Sequence, residues 1–374
     1  MGPEASLSWL ALTLTPGIAA RLTGRLLREF GTPEGVFHAS LTALESCNLP
    51  APAAQAIYKK QTFWRAEKEL DAIRRIGCRI LNCAEPEYPQ SLLQIYDPPA
   101  LLYVRGDASI LNAPSLSIVG TRRPTVYGTQ MAERMGRDLA KRGLVIISGL
   151  ARGVDAISHR GTTEAGGRAI GVLGTGIDVC YPRENKKLFE KVLEKGAIIS
   201  ELPTGSHPAP GNFPVRNRII AGMPLGVVIG EGKQYSGSLI TARLAMEFGR
   251  EVFGVPGNVT QEMSFAPNQW IKQGAKLVTC AEDVIEELPT PVRAALVQAE
   301  ALGSEQRNLL AADGLSPIEK KIYELLSAEE SRPIDDLVET TGLNSSEVLA
   351  TLFDLEMKGI IRQLPGKRFT KVLL

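Results

Sequence analysis

The sequence is poor in the residues that build metal centres and disulfide frameworks. It has five cysteines and three histidines in 374 residues. Cys47, Cys78, Cys83, Cys180 and Cys280 are odd in number and scattered, and no Cys-x-x-Cys occurs. The spacing supports neither a disulfide scaffold nor a zinc site, and a reducing cytoplasm is the expected compartment. No apolar run approaches the roughly 18 residues that a membrane span needs. The opening stretch to Trp9 has no basic region followed by a continuous apolar one, so no secretory signal is expected. What is present is ordinary for a globular protein: 44% hydrophobic and 22% charged residues, enough to bury a core. The length suggests roughly two to three domains.

Net charge is +1, with 42 basic and 41 acidic side chains. Its distribution says more. Residues 114–260 hold 19 basic and 12 acidic groups, while the segments on either side are neutral or acidic. A basic segment inside a neutral chain points to a local anion site, a polyanion being the macromolecular candidate. Uneven solvated surface charge is the other reading.

Hydrophobic patterning divides the chain into four parts. Residues 1–62 read as a small helical domain, SAM-like or helix-hairpin-helix-like. Within it an amphipathic helix from Ala20 stops at Gly31. The Thr15-Pro16-Gly17 turn before that helix suits a hairpin that holds phosphate on backbone N–H groups, although Ala19 stands where a second glycine is usual. A packing domain is the alternative. Residues 63–288 read as the core, and its first part has a helix from Trp64 to Ile76 and short strands at 77–82 and 101–104. From Ser115 short β-rich apolar runs recur: Leu116–Val119, Leu144–Ser148, Ala169–Leu173, Ala197–Ser200, Leu225–Ile229 and Glu251–Val255. Most end in a glycine-bearing loop, with helical stretches such as Gly128–Arg142 and Leu239–Phe248 between them. Unalternating strands separated by helices indicate a parallel sheet covered on both faces. The expected class is α/β: a doubly wound, extended Rossmann-like core, with the small N-terminal helical domain and a C-terminal winged helix.

Residues 289–314 read as a linker and 315–374 as the winged helix. Ser316-Pro317-Ile318-Glu319 opens a helix in the manner of a capping box. A second helix spans Pro333–Thr340, and Gly342-Leu343-Asn344 turns into a third at Ser345–Met357. Strands Lys358–Arg362 and Arg368–Val372 pair across Pro365-Gly366. The third helix has Glu347, Asp354 and Glu356 but no Lys or Arg. It would repel phosphates, so this domain is expected to contact protein.

Ligands of such α/β cores bind outside the carboxyl ends of the strands, where several motifs fall. Gly120-Thr121-Arg122-Arg123 offers a close backbone approach and two guanidinium forks for phosphate oxygens; a salt-bridged surface turn is the alternative. Ser148–Asp155 brings Arg152 and Gly153 to a neighbouring strand end. There Asp155 is read as a helix cap and His159 as packed, in preference to a relay with Ser148 or Ser158. Gly174-Thr175-Gly176 is half of a dinucleotide fingerprint, but Val179 occupies the third glycine position, which argues against nicotinamide or flavin and leaves no cofactor expected. In Pro210–Ile220, Arg216 and Arg218 alternate in an extended loop or at a helix start, with Phe213 and Asn217 beside them. Aromatic stacking combined with arginines is a way to bind single strands; core packing of Phe213 is the competing reading. Ser236-Gly237-Ser238 and Thr241 at a helix start form either an anion site or a plain N-cap.

Taken in order, Gly120–Arg123, Ser148–Asp155, Phe213–Ile220, Ser236–Ala242, Gly254–Asn258 and Gln273–Lys276 resemble the bacterial DNA-processing protein A (DprA/Smf) family over about residues 85–290. The resemblance implies a non-enzymatic, homodimeric protein that binds single-stranded DNA and protects incoming strands. It also implies loading of RecA recombinase during natural transformation and recombination. Carried over motif by motif, it implies DNA contacts at Arg122, Arg123, Arg152, Gly153, Gly174, Phe213, Arg216, Asn217, Arg218, Ser238 and Thr241. The sequence departs from the family pattern at Ser264–Trp270, usually richer in glycine and asparagine, and at Pro208 and Pro210. A phosphoribohydrolase-like enzyme on a related fold is the alternative. It would need a glutamate near Ala242 or Arg243.

Overall fold

A computed structural model describes residues 3–298, 315–327, 330–358 and 360–371. The chain divides into two compact units, 1–293 and 294–374. Among the described residues no helix is long and apolar enough to cross a membrane.

Six helices open the first unit: α1 (Pro3–Thr13), α2 (Ala20–Phe30), α3 (Pro33–His38), α4 (Leu41–Ser46), α5 (Ala51–Tyr58) and α6 (Phe63–Arg75). Local chemistry sets their ends. Gly31 takes a left-handed φ of 77° after α2, where glycine avoids a Cβ penalty. Thr32 and Ser40 cap α3 and α4 by accepting from the Gly35 and Ala43 amides.

A nine-stranded sheet follows, with the order β1-β2-β6-β5-β4-β3-β7-β8-β9. Its strands are β1 (Arg79–Asn82), β2 (Leu101–Gly106), β3 (Ser115–Val119), β4 (Val145–Ser148), β5 (Ala169–Val172), β6 (Ala197–Ser200), β7 (Gly226–Ile229), β8 (Glu251–Gly254) and β9 (Lys276–Leu277). All six expected core strands are present, and β3 to β9 pair in parallel. The two expected early strands extend the sheet past β6, both antiparallel. The crossover helices are α7 (Val126–Lys141), α8 (Val154–Glu164), α9 (Lys186–Lys195), α10 (Asn212–Gly222) and α11 (Gly237–Glu247); α12 (Phe265–Lys272) and α13 (Ala281–Ile285) follow.

Alternate residues of each strand serve different cores. Ile170, Val172, Ala197 and Ile199 share one cluster with α10 and α11. Tyr103, Ala169 and Ile198 face the other, which contains Leu10, Leu12, Leu26, Val36 and Ile57 of the N-terminal helices. Each fully buried large apolar side chain stabilises the fold by about 1.5–3 kcal/mol. The described part of the expected N-terminal domain, residues 3–62, thus shares a core with the sheet. The Thr204 amide and hydroxyl also donate to Glu69 of α6, at 2.7 and 2.8 Å, tying this layer to the loop after β6.

The linker expected at 289–314 lies outside the described residues from 299 onward; within it, 290–298 are helical (α14). The second unit holds α15 (Pro317–Leu325), α16 (Ile334–Thr341) and α17 (Ser345–Met357). A small antiparallel sheet of β10 (Arg332–Pro333), β12 (Arg368–Lys371) and β11 (Ile361–Leu364) completes it. The Ser316–Glu319 capping box is formed. Gly342 turns at φ 71° between α16 and α17, and Leu337, Val348, Leu352 and Phe369 share the core. This is a winged helix. Gly359 and Val372 of the expected strands lie outside the described residues.

Candidate nucleic-acid interface

The strand order locates the site. From β3 the chain winds outward through β4, β5 and β6, then returns to place β7 on the other side of β3. The loops after β3 and β7 therefore diverge, and ligands of doubly wound folds bind in that crevice. It holds an open cavity of about 1190 Å³, lined by Gly120–Arg123, Asp155, Tyr181, Phe213, Arg216, Asn217 and Lys233–Ser238, with Thr241 and Phe265 among the remainder.

A buried carboxylate braces the rim. Glu231, just after β7, accepts from the Thr125 amide at 2.7 Å and from the Thr125 hydroxyl at 2.6 Å. Its carbonyl accepts from the Thr121 amide at 2.6 Å. The β3 and β7 loops are thereby fixed to each other, and Arg122 and Arg123 project from the fixed turn into solvent. Gly153 also belongs to this frame. Its φ is 74°, and a Cβ there would lie 2.3 Å from the Thr121 carbonyl oxygen, so the β4–α8 turn accepts no side chain.

Above the rim the Arg122 guanidinium sits 5.8 Å from the centroid of the half-buried Phe213 ring. Tyr181 lies 5.7 Å from Phe213 on another side, at an interplanar angle of 40°. Gly174 underlies this aromatic pair, since a Cβ there would come 2.8 Å from the Phe213 ring. Its place is to admit Phe213.

Pro210–Ile220 departs from the extended reading. The segment from Asn212 is helical, and positions 216 and 218 are about 200° apart around a helix. The two arginines cannot form one row. Arg216 lines the cavity from beneath, 6% exposed. It donates to the Val172 carbonyl and lies against Gly149. Burial pushes its guanidinium down to about 10, opposed by nearby Asp155; burial likewise raises the Asp155 carboxyl, and Arg216 counters it. Arg218 points away from the cavity. It pairs with Asp97 at 3.2 Å and Glu201 at 2.7 Å and donates to the Asp97 carbonyl at 3.0 Å. It fastens α10 to the segment before β2.

Arg152 is exposed and bidentate to Glu184, with both bonds at 2.7 Å. It lines a side pocket of about 50 Å³ that shares Arg122, Tyr181, Phe213 and Arg216 with the main cavity. Ser238 and Thr241 line the cavity from the start of α11. Ser236 caps that helix, its hydroxyl accepting from the Ser238 amide at 3.4 Å and lying 2.8 Å from the Ser238 hydroxyl. The enzyme reading finds no acid at its required position: Ala242 is buried and Arg243 pairs with Glu247. Asp155 does not cap α8, whose N-cap is Gly153 with no side-chain cap; it lies within the first turn and its carboxylate accepts from the Gly149 amide at 3.1 Å, while His159 is fully buried as expected.

Several cavity residues escaped the motif reading. Lys233 reaches Glu262 at 2.5 Å; Tyr235 opens the Tyr235–Thr241 motif, which gives it no role of its own, and it is 92% exposed at the mouth. The available signal was position, because 230–236 follows a core strand as the arginine loops do. Phe265 lies in Ser264–Trp270, the stretch that departs from the family pattern, and a separate segment folds it into the cavity wall.

Comparison with known proteins accords with this geometry. Residues 79–289 match the family described as DNA recombination-mediator protein A, and residues 306–367 match the DprA winged helix domain. Protein Smf of Synechocystis is 32% identical over 97% of this chain and 98% of its own length. The crystal structure of DNA processing protein A from Streptococcus pneumoniae superposes with a TM-score of 0.68 at 31% identity, covering 77% of this chain and 99% of that one. A structure of DNA processing protein A from Helicobacter pylori, reported for its single-stranded DNA binding mode, gives 0.51 at 31% identity over 56% of this chain and 94% of that one. The sheet order, the arginine-bearing rim and these matches over nearly the whole length together make the chain a member of the DprA/Smf family of DNA-processing proteins.

Proposed function

We propose that the cavity binds single-stranded DNA with little sequence preference, and that the protein protects incoming strands and loads RecA recombinase on them during natural transformation and recombination. In this reading it works as a homodimer in the cytoplasm and performs no catalysis. The observation that carries the binding step is the Arg122 guanidinium over the Phe213 ring at the mouth of an open crevice. That pairing offers a base a stacking surface while Arg122 and Arg123 meet its phosphates. The Helicobacter pylori relative, reported to bind single-stranded DNA, supports the same ligand. The family's description as a recombination mediator supports the RecA step.

The test is fluorescence anisotropy of a labelled single strand, with a duplex control, against the parent and Arg122→Ala/Arg123→Ala. Both side chains are exposed, so the variant keeps its fold. It should bind more weakly and lower the log–log salt slope by about 1.4, two phosphate contacts at about 0.7 each. Unchanged affinity, or equal binding of duplex, overturns the proposal. RecA filament assembly on the bound strand and sedimentation of the free protein test the remaining parts.

A further inference from the structure

We propose that α2 and Tyr96 form a second track for the same strand, outside the cavity. This rests on the single-strand reading above and extends it to the N-terminal helices.

Arg21, Arg25 and Arg28 of α2 are all exposed. Spacings of four and three residues put them on one helix face. Gly24 lies on that face with open space where a side chain would be. Among the described residues none of the three arginines forms a salt bridge. Arg25 donates to the Cys47 carbonyl at 3.0 Å, and Arg21 lies over the Tyr96 ring at 4.7 Å. Some exposed arginines elsewhere are paired, Arg79 with Glu87, Arg142 with Glu282 and Arg152 with Glu184, whereas the α2 row shares its unpaired state with Arg122 and Arg123 at the cavity rim. Like charges one helical turn apart repel one another; exposed Glu29, four residues after Arg25, offsets part of this, and a polyanion lying along the row offsets the rest. The backbone adds to the same potential: α2 begins after Ala19 with no side-chain cap, leaving its first amides unpaired by any side chain.

Tyr96 makes the occupant a single strand. The ring is 73% exposed and is held by a guanidinium on one side. An unpaired base can stack on such a ring, whereas a base inside a duplex cannot. Its neighbour Asp97 is the residue Arg218 grips. Helix α10 thus presents Phe213 and Asn217 to the cavity and holds the Tyr96 segment with Arg218. One rigid element joins the two tracks, and the buried ion pair of Arg218 becomes a positioning device for the outer one.

The experiment compares a labelled oligothymidine of about six nucleotides with one about five times longer. The variants are Arg21→Ala/Arg25→Ala/Arg28→Ala, Tyr96→Ala and Tyr96→Phe in the full chain. The triple variant should leave the short strand within twofold of the parent. It should weaken the long strand at least tenfold and lower its salt slope by about 2, three cations at about 0.7 each. Tyr96→Ala should weaken only the long strand, about five- to hundredfold, and Tyr96→Phe should restore it. No loss for the long strand, or equal loss for both lengths, overturns the second track. Failure of the parent to bind the short strand instead overturns the cavity reading on which it rests.

Discussion

Replacing Arg216 should unfold the site before it weakens any contact with DNA. Arg216 and Asp155 are 6% and 7% exposed, and each is the main opposite charge countering the other's burial. Arg216→Ala leaves the Asp155 carboxylate buried with only hydrogen-bond donors such as the Gly149 amide. The two are buried opposite charges with no direct salt bridge between them, so removing one costs about 3 kcal/mol, the low end for a buried pair. At roughly 2–3 °C per kcal/mol, the melting transition of the first unit should fall by about 8 °C. Scanning calorimetry reads that shift, and anisotropy well below the melting temperature reads binding. Arg216→Met/Asp155→Asn removes both charges and should recover most of the lost stability. Arg122→Ala, at an exposed position, should melt with the parent. An Arg216→Ala protein that melts within about 2 °C of the parent would refute the buried-pair account and return Arg216 to the status of a surface phosphate ligand.

Two further outcomes follow from buried groups. Burial pushes His159 from 6.5 down to about 4, so between those values the unfolded chain binds more protons. Stability is therefore full above about 6.5 and falls as pH drops toward 4, by about 3 kcal/mol for the whole gap; His159→Leu should flatten this part of a pH series of urea melts, and an unchanged acid slope contradicts it. Glu231→Ala deprives the Thr125 amide and hydroxyl of their acceptor and should cost about 2–3 kcal/mol. Urea unfolding would show it, while full stability with intact binding would remove Glu231 as the brace of the rim.

The six core strands were readable because a strand buried on both faces has a local signature, a short β-branched run closed by glycine. The winged helix was readable for the same kind of reason: its caps and turn glycine lie within the segments they define. Helix α10 was not. Pro210 and Pro214 argue for an extended chain, but proline is tolerated in the first turn of a helix, where its missing N–H costs nothing. Pro214 sits there. Nor does amphipathicity say what a helix packs against. Leu26 marks the buried face of α2, yet its neighbourhood with Ile198 and Tyr103 of the sheet is a tertiary fact. The partners of Arg218 lie 121 and 17 residues away, beyond any local pattern.

The arginines of the basic segment therefore have opposite tasks, and a salt titration separates them. If the excess of seven positive charges over residues 114–260 met phosphates directly, a bound single strand would show a log–log salt slope of about 5. The structure assigns that excess differently. Arg218 is spent on Asp97 and Glu201, Arg152 on Glu184, and Lys233 on Glu262. Among the described residues Arg122 and Arg123 remain as exposed cavity-lining cations without a salt bridge to a carboxylate, with Arg216 buried beneath them opposite Asp155, which predicts a slope of about 1.4 for a strand short enough to occupy only the cavity. Affinity measured across a tenfold range of salt decides between these values. A slope of about 4 or more for the short strand would mean that the ion pairs at Arg152 and Lys233 open to receive DNA, and the division between cations that build the rim and cations that meet the ligand would fail.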